Sequence, residues 1–314
     1  MQKVILIPGD WAGPQVCEAM CRVVKAAGAD IDWQKMEPQN MDWSAILAED
    51  SIIVKSKTKD TEGETPFAVK IRKELGLNCT IRTAKGVPGL KARFPDIDVV
   101  VFRETSEDIY SGFEHQVTEG VFEAVKITTE AACEQIARSA YQYAVKKGRK
   151  KVTIVHKSNI MKKSDGLFLR TAQRVGNEFP NVETEEFIVD ALCMKLTQYP
   201  YRFDILLTAN LFGDIVSDLC TGLAGGSSAA TSYSEGKNKG KHIRLYENIH
   251  DLQYANPIPM LNVAVSMLED IGEETAAKTI STGITQLLES GVCTEDIGGK
   301  HSLEEFVNTL ISSF

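Results

Sequence analysis

Short apolar runs punctuate the chain: VILIP at 4–8, VVVF at 99–102, VTIV at 152–155 and DILLT at 204–208. Each has strand length and is bounded by polar or turn-forming residues. Between them the apolar positions switch to helical spacing, as over Glu18 to Ala27, Glu130 to Lys147 and Leu167 to Val175. Strands alternating with helices predict an α/β fold with a largely parallel sheet under helices. The stretch GGSSAATSYSEGKNKGKH, Gly225 to His242, breaks this pattern. Rich in Gly, Ser and Lys, it reads as a mobile surface loop.

The 314 residues exceed what one core usually serves, so one large or two interleaved domains are expected. With 43% hydrophobic and 25% charged residues the composition is that of a soluble globular protein. A formal charge of -8 gives no general affinity for nucleic acid or an anionic membrane. An anionic ligand must therefore meet a local basic pocket. The seven cysteines show neither zinc spacing nor an even number, which favours reduced thiols and a cytoplasmic location. The opening MQKVILIPGD does not read as a signal peptide, and no apolar run is long enough to span a bilayer.

Three clusters carry candidate chemistry. In NLFGDIVSDL, Asp214 and Asp218 stand four residues apart on an expected helix, so their carboxylates share one face. A hard cation such as Mg²⁺ would relieve their repulsion; a solvated helix face is the plainer alternative. RETSEDIYSGFEH places Arg103 just after a strand and Tyr110 near Gly112. Such a tyrosine serves as a proton donor if neighbouring cations lower its pKa. VHKSNIMKKSDG runs a strand into a loop bearing Lys157, Asn159, Lys162 and Lys163, the position where α/β folds place ligands.

PGDWAGP, IRKEL, VFRETSEDIYSGFEH, HKSNIMKKSDGLFL, IVDALCM and NLFGDIVSDL occur in the order of the isocitrate/isopropylmalate dehydrogenase family, which the chain resembles over nearly its whole length. The resemblance is strongest to short NAD-type isocitrate dehydrogenases. It implies a two-domain α/β fold: a large domain from 1–77 and 225–314, and a smaller dimer-forming domain from 78–224, with the active site in the cleft. It makes Arg72, Arg82 and Arg103 a clamp on the carboxylates of a di- or tricarboxylic acid, in keeping with the bidentate fork of arginine. It makes Asp190, Asp214 and Asp218 ligands of Mg²⁺ or Mn²⁺, and assigns the proton transfers to Tyr110 and Lys162. Asp190 and Lys162 would come from the partner protomer of a homodimer or paralogous heteromer. In the implied reaction the 2-hydroxyl proton is removed, hydride leaves C2 for NAD or NADP, and the β-carboxylate departs as carbon dioxide.

The chain also departs from that pattern. TPFAVKIRKEL runs from Thr65 and Pro66 almost directly into the arginine helix, without the Ser and Asn by which family members read the variable part of their acid. Where the family has HGxAPDIAGK around the adenosine, this chain has the shorter YENIHDLQYANP, keeping His250 and Asn256 as candidate cofactor contacts. GDWAGP substitutes Trp11 for a glycine, and the indole would either pack locally or fill space meant for a nucleotide. The leading expectation is oxidative decarboxylation of an isocitrate-like or malate-like 2-hydroxy acid. The alternatives are a metal-dependent decarboxylase without hydride transfer and a non-catalytic or regulatory subunit.

Overall fold

The apolar runs become strands whose residues are closed off from water on both faces, the mark of a sheet covered by helices. In the computed structural model, which describes residues 1–60, 62–238, 240–248 and 255–314, the chain begins β1 (Gln2–Ile7), α1 (Gly13–Ala26), β2 (Ile31–Lys35), α2 (Trp43–Ile46), β3 (Ser51–Lys55) and α3 (Phe67–Leu75). It continues β4 (Cys79–Lys85), β5 (Asp98–Glu104), β6 (Glu114–Thr118), β7 (Val121–Ala124), α4 (Glu130–Lys147), β8 (Lys151–His156), α5 (Ser164–Gly176), β9 (Glu183–Ile188) and α6 (Val189–Leu196). It ends β10 (Ile205–Thr208), α7 (Asn210–Ala224), β11 (Ala230–Asn238), β12 (Lys241–Glu247), α8 (Ile258–Asp270), α9 (Glu274–Glu289) and α10 (Leu303–Ser312).

The chain divides into two compact units, Met1–Leu75 with Lys85–Pro95 and Ala224–Phe314, and Gly76–Ala84 with Asp96–Leu223. Residues 85–95, numbered with the second domain in the sequence-based boundaries, lie in the first unit. Gly89 makes this approach possible: at φ 82°, a Cβ there would sit 2.4 Å from the Leu288 carbonyl carbon of α9.

In the first unit the strands run β2-β1-β3-β12-β11, with β1 parallel to β2 and β3, β12 parallel to β3, and β11 antiparallel to β12. The apolar stripe of α1 (Val16, Met20, Val23) meets Leu261 of α8, Ile280 of α9 and Phe306 of α10 in one core. The segment expected to be a mobile loop forms β11 and the first two residues of β12 instead. Alternate residues of β11 are buried, among them Ser232 and Ser234, so the strand has the right period but small polar side chains on its inner face. A search for apolar alternation does not register it.

In the second unit the order is β4-β5-β10-β8-β9, and β5, β10, β8 and β9 are mutually parallel. Phe102, Ile154 and Leu206 fill the sheet interior, and Tyr141 of α4 is wholly buried. The α4 helix occupies the predicted span, opened by the Thr129 side chain accepting from the Ala132 N–H and closed by Gly148 in the left-handed region. β6 and β7 form a separate antiparallel hairpin, every residue of which is exposed. No helix among the described residues is long and apolar enough to cross a membrane.

Candidate functional site

β5 ends in Arg103 and Glu104, and β10 leads through Ala209 into α7, so the arginine and the helix start side by side. Gly213 allows this contact: a Cβ there would fall 2.3 Å from Thr208 Oγ1 and 2.6 Å from Arg103 Cγ. Arg103 is buried; its Nε donates to Asn210 Oδ1 at 2.8 Å and its Nη1 donates to Asp214 Oδ1. The guanidinium carbon lies 5.1 Å from the centre of the Tyr110 ring, and the Tyr110 hydroxyl donates to Asp214 Oδ2 at 2.5 Å. One turn along α7, Asp218 accepts from Arg82 Nη1 of β4. Arg82 is buried whereas Asp218 is 74% exposed, and Arg82 Nε has no acceptor among the described residues.

The structure thus brings Arg82, Arg103, Tyr110, Asp214 and Asp218 into one cluster. The tyrosine differs from the sequence-based expectation. Burial raises its pKa, and the hydrogen bond to Asp214 adds to the rise against the opposing charge of Arg103. The cation is present, but burial and the hydrogen bond to the Asp214 carboxylate outweigh it.

The remaining candidates stand elsewhere. Asp190, in the first turn of α6, is exposed and accepts from Lys157 Nζ at 2.5 Å; this partner holds its pKa below the usual carboxylate range. Lys162 is exposed on the loop between β8 and α5, without a side-chain partner among the described residues. Arg72 belongs to α3 of the first unit, where its Nη2 donates to Glu247 and its Nε donates to Ser234 Oγ at 3.4 Å.

Asn256 is wholly buried. Its amide donates to Ser228 Oγ at 3.0 Å and Asp296 Oδ2 at 2.8 Å, while its oxygen accepts from the Ile258 N–H at 2.9 Å. Its side chain is spent on protein partners at the start of α8. His250 lies outside the described residues. Trp11 is 57% exposed with φ 53°, a conformation uncommon for a bulky residue, so the indole is not packed away locally.

The sequence reading missed two further groups, one in each unit. Glu247 is buried between Arg72 and Lys55, with Lys55 Nζ 3.5 Å from its Oε1. Burial alone raises a carboxyl pKa, but here the two cations outweigh it and hold Glu247 below the ordinary range. Burial lowers the Lys55 pKa, and Glu247 only partly offsets the fall. Two cations around one carboxylate leave a surplus positive charge. Asp108, which opens the turn carrying Tyr110, has φ 76° and is buried. With ψ at -152° this is backbone that glycine alone adopts readily, so nothing in the sequence draws attention to an aspartate there.

Among the described residues no three His, Cys, Asp or Glu side chains converge as a metal cluster within the chain. Asp214 and Asp218 nevertheless fit a hard divalent cation in kind: both are carboxylates, one helical turn apart, and the end of Asp218 is open to solvent. Each now neutralises an arginine, so holding a cation requires those arginines to find other anions.

A two-unit α/β protein with an arginine–aspartate cluster at the start of a helix is the class that fold and site define. The family model described as isocitrate/isopropylmalate dehydrogenase matches residues 3–310. The chain is 34% identical to the mitochondrial NAD isocitrate dehydrogenase regulatory subunit 2 of Arabidopsis thaliana, covering 99% of this chain and 89% of that protein. It is 34% identical to 3-isopropylmalate dehydrogenase of Archaeoglobus fulgidus, over 99% of both chains. The crystal structure of isocitrate dehydrogenase from Methylococcus capsulatus superposes with a TM-score of 0.91 at 31% identity, covering 100% of this chain and 99% of that one. The chain therefore belongs to the isocitrate/isopropylmalate dehydrogenase family of decarboxylating dehydrogenases.

Proposed function

We propose that this protein oxidatively decarboxylates an isocitrate-like or malate-like 2-hydroxy acid, with Mg²⁺ or Mn²⁺ and with NAD or NADP. The observation that carries the reading is the pairing of Arg82 with Asp218 and Arg103 with Asp214. A polycarboxylate would replace the aspartates on the arginines, where the unpaired N–H of Arg82 waits for an acceptor. The released aspartates would take the cation. Acid and metal should consequently bind with positive cooperativity, each freeing the groups that hold the other.

Arg72 serves as a further carboxylate-binding group. Tyr110 and Lys162 handle the protons, at the 2-hydroxyl oxygen and at the carbon that loses carbon dioxide. A divalent cation on Asp214 and Asp218 would supply Lewis acidity to the acid's oxygens.

Asp190 and Lys162 would act in the site of a second protomer. Their exposure, and the lack of a metal cluster joining Asp190 to Asp214 and Asp218 among the described residues, support this reading. The β6–β7 hairpin offers a docking surface: Val117 and Phe122, the latter 64% exposed, stand in solvent on two strands that are marginal alone, with exposed Phe113 just before them. We take the partner to be a second copy or a paralogous chain. No disulfide joins cysteines among the described residues, in keeping with a reducing compartment such as the cytoplasm.

A regulatory subunit is the second reading, favoured by the exposed Trp11 in place of a family glycine and by likeness to a protein named as regulatory. Turnover of isocitrate and isopropylmalate with Mn²⁺ and each nicotinamide, followed by cofactor absorbance and by carbon dioxide release, separates the readings. Reduction of the cofactor matched by carbon dioxide supports the enzyme. Carbon dioxide from a 2-oxo acid without cofactor supports a decarboxylase, and acid binding without either product supports the regulatory role.

A further inference from the structure

Lys126, between β7 and α4, is an ammonium sunk among groups of three separate segments. Its Nζ lies 3.0 Å from Asp108 Oδ2 and 3.4 Å from Asp165 Oδ1, and 5.4 Å from the centre of the Phe212 ring. Both carboxylates are almost fully buried, with side-chain exposures of 3% and 2%. Two buried anions around one cation cannot be a surface ornament, because each would be costly without its counter-charge.

What the two carboxylates hold gives the cation its meaning. Asp108 accepts from the Ile109 N–H at 2.8 Å, in the turn that carries Tyr110, and from the Leu211 N–H at 3.1 Å, in the first turn of α7 that leads to Asp214. Its backbone is held at φ 76° and ψ -152° while its own N–H donates to the Ile127 carbonyl, one residue beyond Lys126. Asp165 accepts from the Lys157 N–H at 2.6 Å and so fixes the start of the loop that carries Lys162. Asp165 Oδ1 has no hydrogen-bond donor among the described residues, so the Lys126 ammonium is what answers its charge.

We propose that Lys126 is a positioning residue for the proton-transfer groups: it ties the Tyr110 turn, the start of α7 and the Lys157–Lys163 loop into one register without touching the substrate. The proposal rests on the function inferred above for Tyr110 and Lys162, and the mechanical part of it can be read independently.

The experiment compares Lys126→Met and Lys126→Arg with the parent protein by amide hydrogen exchange and by kinetics with isocitrate, Mn²⁺ and NAD. Lys126→Met should speed exchange at Ile109, Lys157 and Leu211 together, leaving the strand amides of β5 and β8 protected. It should lower kcat about ten- to hundredfold with a much smaller change in KM, because Arg82 and Arg103 sit on strands that Lys126 does not hold. Lys126→Arg should restore most of both. Should Lys126→Met not fold, the same readings are taken on Lys126→Met with Asp165→Asn, which removes one of the two orphaned anions. Unchanged exchange in the two loops, a uniform loss of protection across the second unit, or a change confined to KM would overturn the proposal. If the parent protein turns over no acid, the function fails on that result alone, while the exchange pattern still decides whether Lys126 ties the loops.

Discussion

Glu247→Gln tests whether the buried charge cluster of the first unit behaves as its geometry implies. The side chains of Glu247 and Lys55 are 5% and 4% exposed, and Arg72 completes the group. The substitution keeps the shape but leaves two buried cations with no anion between them. Removing one member of a buried ionic group costs about 3–5 kcal/mol. For a domain of this size that corresponds to a fall in Tm of roughly 6–20 °C. Lys55→Met should cost much less, since it removes the surplus cation and leaves the Arg72–Glu247 pair. Combining the two substitutions should recover part of the Glu247→Gln loss, because only one cation is then stranded. Urea unfolding of the four proteins measures all of this. The sign with pH is also defined. Glu247 has a folded pKa below its ordinary 4.5, so its stabilisation is present above that value and is lost as pH falls through the folded pKa. The parent protein should therefore lose stability in that acid window more steeply than Glu247→Gln. A loss below about 1 kcal/mol for Glu247→Gln, with the same acid profile as the parent, would mean that water reaches the cluster and the reasoning fails.

Three further outcomes follow from the site. Arg103→Lys should weaken acid binding about ten- to hundredfold, since a point ammonium cannot keep both Asn210 and a carboxylate on one planar fork; calorimetry with Mn²⁺ and isocitrate measures it, and an unchanged affinity would make Arg103 purely structural. Asp214→Asn should lower Mn²⁺ affinity by about tenfold or more, apart from the stability it loses by leaving the buried Arg103 without this anion, and equal affinity in the folded variant would remove Asp214 from the metal site. NAD should bind more weakly than to a family member with the longer adenosine loop, as titration of the unmodified chain would show; tight binding with ordinary turnover would reject the regulatory reading.

The parts of this protein legible in its sequence are those whose signal is local. Runs such as VVVF and DILLT became β5 and β10 because a strand covered on both faces needs little but apolar residues. Asp214 and Asp218 were legible as a pair because helical spacing alone puts them on one face. β11 escaped because its buried positions carry Ser232 and Ser234, so period two was present without the hydrophobicity that normally reveals it. The partners of the aspartates escaped periodicity for a different reason: Arg103 lies 111 residues from Asp214, and Arg82 lies 136 from Asp218. Arg103 stood out as an arginine just after a strand, Arg82 only through the resemblance to a known family, and neither signal said anything of Lys126 or Glu247. A lysine after a hairpin and a glutamate ending a strand look like surface residues in the sequence. Their burial is decided by carboxylates and guanidinium groups that tertiary structure supplies, and a charge buried with its partners forces its surroundings into one arrangement more strongly than an apolar side chain of the same size. The residues that the sequence disguised best are thus the ones whose replacement should disturb the protein most.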